Sequence, residues 1–131
     1  MDITVVILNW NTRELLEKCL RSLVCPMKEY EAEIIVVDNA SEDGSREMVI
    51  ATFPQVRLVV NSNNIGFGAG NNTAIPSATG RYVLFLNSDT VVMNGALEAL
   101  IWVPWPVTPT VIRLGRFELS ASCSGGKRSI H

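Results

Sequence analysis

Four short, largely apolar runs, each closing on a polar residue, set the rhythm of this chain: Ile3 to Leu8 before Asn9, Ile34 to Val37 before Asp38, Val56 to Val60 before Asn61, and Tyr82 to Leu86 before Asn87. Continuous rather than alternating apolar runs mark strands covered on both faces. Between them the period changes. Leu15, Leu16, Cys19, Leu20 and Leu23 recur at helical spacing up to Pro26, with Asn11 or Thr12 as cap and Glu14 placed for a capping box. The stretch NASEDGS after Asp38 is rich in turn and cap residues and leads to a helix over Arg46 to Thr52. After Val60 comes NSNNIGFGAGNN, then a helix expected to reach Ala78. Pro76 inside that helix costs about 3 kcal/mol unless it falls at a kink or an end. Asn94 is placed to cap a further helix carrying Leu97, Leu100 and Ile101. Strands alternating with helices predict an α/β fold: a mostly parallel, Rossmann-like sheet with right-handed crossovers and helices on both faces.

From Trp102 the pattern breaks, with three prolines within six residues, two tryptophans and a Ser/Gly/Lys-rich end. Val111 to Leu119 is a weak strand, and the last ten residues are expected to be disordered. The chain divides into residues 1–101, which build the sheet, and an atypical tail, 102–131, which leaves the sheet incomplete on its C-terminal side.

Length and composition narrow the classes. A chain of 131 residues with 47% hydrophobic and 18% charged positions suits one globular domain. A net charge of −2 offers no electrostatic case for a nucleic-acid partner. Cys19, Cys25 and Cys123 are odd in number, form no C-x-x-C pair and have only the terminal His131 for company, so neither a disulfide framework nor a zinc site is indicated. No basic and apolar leader is visible, and the longest apolar stretch, Gly95 to Val107, is broken by Glu98, Pro104 and Pro106 and is too short to span a bilayer. A cytoplasmic protein is expected.

In an open parallel sheet, ligands bind outside the carboxyl ends of the strands, where strand order reverses. Asn9, Asp38, Asn61 to Asn64 and Asn87 to Asp89 each follow a strand, so all should line one rim. Asparagine and aspartate after strands also serve as ordinary turn and cap residues, and for Asp38 both readings stand. Asp89 favours function, because so apolar a strand gains nothing from a terminal charge unless something positive meets it. Gly66, Gly68 and Gly70 suggest the dinucleotide fingerprint, but Asn71 stands where its third glycine belongs and the loop follows the third strand, not the first. The loop instead reads as one whose missing side chains admit a ligand to the backbone, or as a tight helix start.

The motifs VVILNWNTRELLEKCLRSL, EIIVVDNASEDGS, NNIGFGAGNN, YVLFLNSDT and MNGALEAL, in this order, resemble family 2 of the nucleotide-sugar-dependent glycosyltransferases, with the GT-A fold. The resemblance covers about Ile3 to Ile101 and is strongest to the rhamnosyltransferase-like branch. It implies that Asp38 accepts a hydrogen bond from the donor's nucleobase, that Asn9 and Asn39 border the nucleoside pocket, and that Gly66, Phe67, Gly68 and Asn71 run along base and ribose. Asn87 and Asp89 would occupy the family's D-x-D site, with Asp89 binding Mg²⁺ or Mn²⁺ and Asn87, which replaces the first acid, touching ribose or a metal-bound water. The implied partners are a UDP- or dTDP-type nucleoside-diphosphate sugar and a glycan or lipid-linked acceptor, in cell-wall or polysaccharide biosynthesis. A lipid-linked acceptor would bring the protein to the inner face of the membrane, and homo-oligomers are left open.

The family's catalytic base comes from a later segment. Nothing after Trp102 resembles it, and Glu118, the only carboxylate there, is assigned no role. Such a tail is what a truncated or frame-shifted gene product would give. The chain therefore reads as the nucleotide-sugar-binding half of a glycosyltransferase or, without a base, as a non-catalytic binding fragment of the same fold. An oxidoreductase or methyltransferase is disfavoured because the first βα turn, LNWNT, has no glycine.

Overall fold

The computed structural model describes residues 2–101 and 111–113. Along the chain run β1 (Ile3–Asn9), α1 (Arg13–Met27), β2 (Ala32–Asp38), α2 (Ser45–Thr52), β3 (Arg57–Val60), α3 (Phe67–Asn72), a 3₁₀ turn (Ile75–Ser77), β4 (Tyr82–Asn87), α4 (Ala96–Ile101) and β5 (Val111–Arg113). The sheet has five strands in the order β3-β2-β1-β4-β5, every pair parallel. The chain steps outward from β1 to β2 and β3, then returns to the far side of β1 for β4 and β5. Strand order thus reverses between β1 and β4, and the crevice at their carboxyl ends is where this architecture receives ligands.

Pleating divides the apolar runs between two cores. Val5 and Ile7 of β1, Val36 of β2 and Leu84 and Leu86 of β4 face α1, α2 and α4, which contribute Leu16, Leu20, Leu23, Met48, Val49 and Leu97. Val6, Ile35 and Val37 face the other way, onto Ala74, with Leu8, Val59, Ala78, Val83 and Phe85 half-buried around them. Small residues dominate that second layer because the segment after β3 lies very close to the sheet. A Cβ on Gly70 would come 2.7 Å from Leu8 Cδ1, and one on Gly80 would come 2.4 Å from the Thr4 nitrogen.

Three local expectations are corrected. The helix expected to reach Ala78 stops at Asn72, and Pro76 sits at the start of the separate 3₁₀ turn, where its missing N–H breaks no hydrogen bond. Helix α1 runs one residue beyond Pro26 and closes with tight bonds such as Tyr30 N–H to the Met27 carbonyl, 3.3 Å. Cys19 is free, whereas Cys25 is disulfide-bonded, which the cysteine spacing did not indicate. The strand expected over Val111 to Leu119 is seen as Val111–Arg113. Its remainder, and the tail's expected disorder and altered reading frame, lie outside the described residues.

Candidate nucleotide-binding site

The parallel register sets Asn9 beside Asp38 and Leu8 beside Asn87, so three strand ends finish almost level. Asn9 is fully buried. Its Nδ2 donates to Asp38 Oδ1 and to Ser41 Oγ, both at 3.0 Å, and its Oδ1 accepts from Thr12 Oγ1 at 2.8 Å. Asp38, 1% exposed, also receives Ser41 N–H and Arg46 Nε on Oδ2, each at 2.9 Å. A buried carboxylate is tolerable only when paired and hydrogen-bonded, and Arg46 supplies the charge.

Asn39, also buried, ties β2 to the loop after β3. Its Nδ2 donates to Asn64 Oδ1 (2.9 Å) and the Gly66 carbonyl (3.2 Å), and its Oδ1 accepts from Asn61 Nδ2 (3.1 Å). This arrangement holds Gly66 at a φ of +86°, a left-handed value that favours glycine. Phe67 next to it is exposed, and nothing lies within 4 Å of where a Gly68 side chain would begin. Asn71 faces inward: Nδ2 donates to the Phe67 carbonyl at 3.0 Å, and Oδ1 is buried without a hydrogen-bond partner. Buried polar atoms are nearly always paired, so such an atom calls for a water or a ligand donor.

At the end of β4, Asn87 and Ser88 are half-buried and Asp89 is exposed. Ser88 Oγ lies 2.8 Å from Thr12 Oγ1, joining this rim to Asn9 and Asp38. Beneath it, the Cys19 thiol points at the Asn87 carbonyl, 3.9 Å away; burial, and then the charge of Asp89, push its pKa up to about 12. Asp89's exposure corrects one argument. Water can carry its charge, and the carboxylate that the apolar strands enclose is Asp38, which Arg46 answers.

The residues singled out in the sequence therefore lie on the strand-end rim, in the loop after β3 or in α3, and Ser41 and Arg46 join them unannounced. Thr12, by sequence a candidate cap, makes no capping bond. Asp43 caps instead. Its Oδ2 accepts Arg13 N–H at 2.8 Å, while Oδ1 accepts from Ser45 N–H and Oγ, so one carboxylate serves the first turns of two helices. The available signal was a cation, Arg46, at the very start of a helix preceded by acids.

A divalent cation is implied by the D-x-D-like stretch, and the donor set tests it. Asp89 stands with the neutral oxygens of Asn87 and Ser88, and no group of three or more His, Cys, Asp or Glu gathers among the described residues. One carboxylate with neutral oxygens fits a cation that arrives with phosphates, as Mg²⁺ commonly does, rather than one held by a protein cage.

Fold and site together define a polar strand-end crevice of a Rossmann-like sheet. The profile of Glycosyl transferase family 2 matches residues 4–102, and the chain belongs to that family. A poly(ribitol-phosphate) beta-glucosyltransferase of Bacillus spizizenii is 38% identical over 104 residues, which cover 74% of this chain and 16% of that protein. The structure of S. aureus TarS 1-349 in complex with UDP-GlcNAc matches with a TM-score of 0.66 at 28% identity, covering 76% of this chain and 30% of that one. Mannosyltransferase PcManGT from Pyrobaculum calidifontis, in complex with GDP-Man and Mn²⁺, matches at 0.65 and 27%, covering 79% and 32%. The chain thus spans less than a third of the length of each of these relatives.

Proposed function

We propose that this chain carries the nucleotide-sugar-binding half of a glycosyltransferase that moves a hexosyl or rhamnosyl unit from a UDP- or dTDP-type donor to a glycan or lipid-linked acceptor, inverting the anomeric centre. The observation that carries the reading is the convergence of Asn9, Asp38 and Asn87 to Asp89 on the two sides of the β1–β4 reversal. Neighbours solved with UDP-GlcNAc or with GDP-Man and Mn²⁺ support it.

In this reading Asp38 faces the nucleobase. Each carboxylate oxygen accepts about two bonds; Oδ2 has two and Oδ1 has one, which leaves one position on Oδ1 for a base N–H. Gly66, Phe67 and Gly68 give the nucleoside an open path, and the unpaired Asn71 Oδ1 receives a donor from base or ribose. Asp89 would hold Mg²⁺ or Mn²⁺, with Asn87 touching ribose or a metal-bound water, and the ion would neutralise charge on the departing diphosphate. An acceptor hydroxyl forms the new bond to the anomeric carbon as the bond to the diphosphate oxygen breaks. The hydroxyl proton goes to a base supplied outside the described residues. Without such a base the chain binds donor and does not turn it over. A lipid-linked acceptor would place the reaction at the cytoplasmic face of a membrane.

Thermal unfolding with UDP, dTDP or GDP, with and without Mn²⁺, tests the reading. At a hundredfold excess over Kd, binding contributes about 2.7 kcal/mol, a rise of roughly 10 °C for a domain of this size. Asp89→Ala should remove the metal-dependent part alone. Failure of all three nucleotides with metal present would refute the site.

A further inference from the structure

We propose that Thr12 is a positioning residue: it fixes the direction of a hydrogen-bond chain across the sheet so that Ser88, between Asn87 and Asp89, offers only lone pairs to the crevice. The inference rests on the nucleotide-sugar reading and adds to it Ser88 as a further oxygen for the cation or its bound water.

Thr12 occupies the N-cap position of α1, where a hydroxyl ordinarily accepts a helix N–H. Here it makes no such bond, and the first N–H of the helix, that of Arg13, goes to Asp43. The hydroxyl turns to the sheet and lies 2.8 Å from both Asn9 Oδ1 and Ser88 Oγ.

The direction of the chain follows by elimination. Asp38, a carboxylate paired with Arg46, can only accept, so the Asn9 atom 3.0 Å from it is the amide nitrogen. The other end of that amide is then a carbonyl oxygen, which also only accepts. Thr12 has one proton and must give it to Asn9, so the proton between Thr12 and Ser88 comes from Ser88. With its proton directed at Thr12, Ser88 has no donor left for a phosphate oxygen. Its remaining lone pairs suit a cation, a cation-bound water or a ligand hydroxyl. The Asp38–Arg46 pair at one end of the crevice thereby sets the chemical character of the other end, three side chains away along Asn9, Thr12 and Ser88.

The test uses the full chain, Mn²⁺, and whichever of UDP, dTDP and GDP gives the largest thermal shift. Thr12→Val keeps the shape and removes the hydroxyl; Thr12→Ser keeps the hydroxyl. Loss of the chain should weaken Mn²⁺ binding to the nucleotide-saturated protein by about tenfold in Thr12→Val, the scale of one hydrogen bond, and leave metal-free nucleotide binding within about twofold. Thr12→Ser should restore Mn²⁺ affinity, Ser88→Ala should match Thr12→Val, and the double variant should be no worse than either single one. A purely structural role would lower the melting temperature and leave the Mn²⁺ constant unmoved. The inference is overturned if Thr12→Val, or Ser88→Ala where Thr12→Val does not fold, binds Mn²⁺ as the wild type does, or if the two losses add. Wild-type protein that binds no nucleotide with Mn²⁺ overturns the site reading itself; wild-type binding with unaffected variants overturns this inference alone.

Discussion

Alanine at Gly66, Gly68 and Gly70 should give three different results, because the three glycines meet three different constraints. At Gly70 the new Cβ would lie 2.7 Å from Leu8 Cδ1 and 3.2 Å from Asn39 Nδ2. Leu8 must then leave its rotamer or α3 must lift from β1, and the displaced Asn39 also holds Asn64 and Gly66. Overpacking of this kind costs about 1–3 kcal/mol, and the better helix propensity of alanine returns at most about 1 kcal/mol. At Gly68 nothing lies within 4 Å, so the propensity term acts alone and stabilises by up to about 1 kcal/mol. At Gly66 the φ of +86° strains any side chain by about 1–3 kcal/mol, although space is open. Urea unfolding reads the difference: with an m-value of about 1–3 kcal/mol/M, the midpoints of Gly68→Ala and Gly70→Ala should differ by roughly 1 M. Equal midpoints would refute the close approach of α3 to β1. Because Gly68→Ala leaves the fold intact, a smaller nucleotide-induced shift in that variant would locate the ligand over the loop, and an unchanged shift would place it elsewhere.

Asp38→Ala should cost about 3 kcal/mol in denaturant unfolding, since it strands Asn9 Nδ2, Ser41 N–H and the Arg46 charge; a loss under about 1 kcal/mol would contradict the network. Two carboxyls give the fold its acid sensitivity. Burial raises the pKa of both Glu33 and Asp43, but hydrogen bonds from Thr4 and Thr79 to Glu33, and from Ser45 and Arg13 to Asp43, outweigh it and lower both below ordinary values. A lowered folded pKa means stability that is complete above about pH 4 and is lost as pH falls through the folded values. The melting temperature should therefore drop below about pH 4, and less steeply in Asp43→Asn and Glu33→Gln; wild-type steepness in both would be the contrary result. The Cys19 thiol, pushed up to about 12 and buried, should resist iodoacetamide at pH 8 until the protein unfolds, and rapid labelling in native buffer would show the α1–β4 interface to be open.

Local pattern carried much of the fold. Strands β1, β2 and β4 were legible because a strand inside a parallel sheet needs apolar residues on both faces, and few other elements write such short, nearly unbroken apolar runs. The over-long helix after Gly66 shows where pattern fails: composition allows a helix to Ala78, but Pro76 and the tight approach of Gly70 and Gly80 to β1 break the segment into two short turns. Residue type also located Asn9, Asp38, Asn87 and Asp89 at strand ends, and hence on one rim.

Sequence could not say which partner each polar group would choose, because those partners come from separate parts of the chain. Thr12 and Ser88, 76 residues apart, meet only when β4 inserts beside β1. Asp43 reaches Arg13 across 30 residues, and Thr12, at the N-cap position, turns its hydroxyl to Asn9 and Ser88 instead of to the helix. Burial, too, is a property of the assembled sheet: it made Asp38 the enclosed charge needing Arg46 and left Asp89 open to solvent. The elements, and through their alternation a parallel sheet with a polar rim, were written in the chain, because each element depends on residues close together. The direction of the hydrogen bonds, and which carboxylate was buried and which exposed, came only with tertiary assembly, because each depends on which strand ends become neighbours.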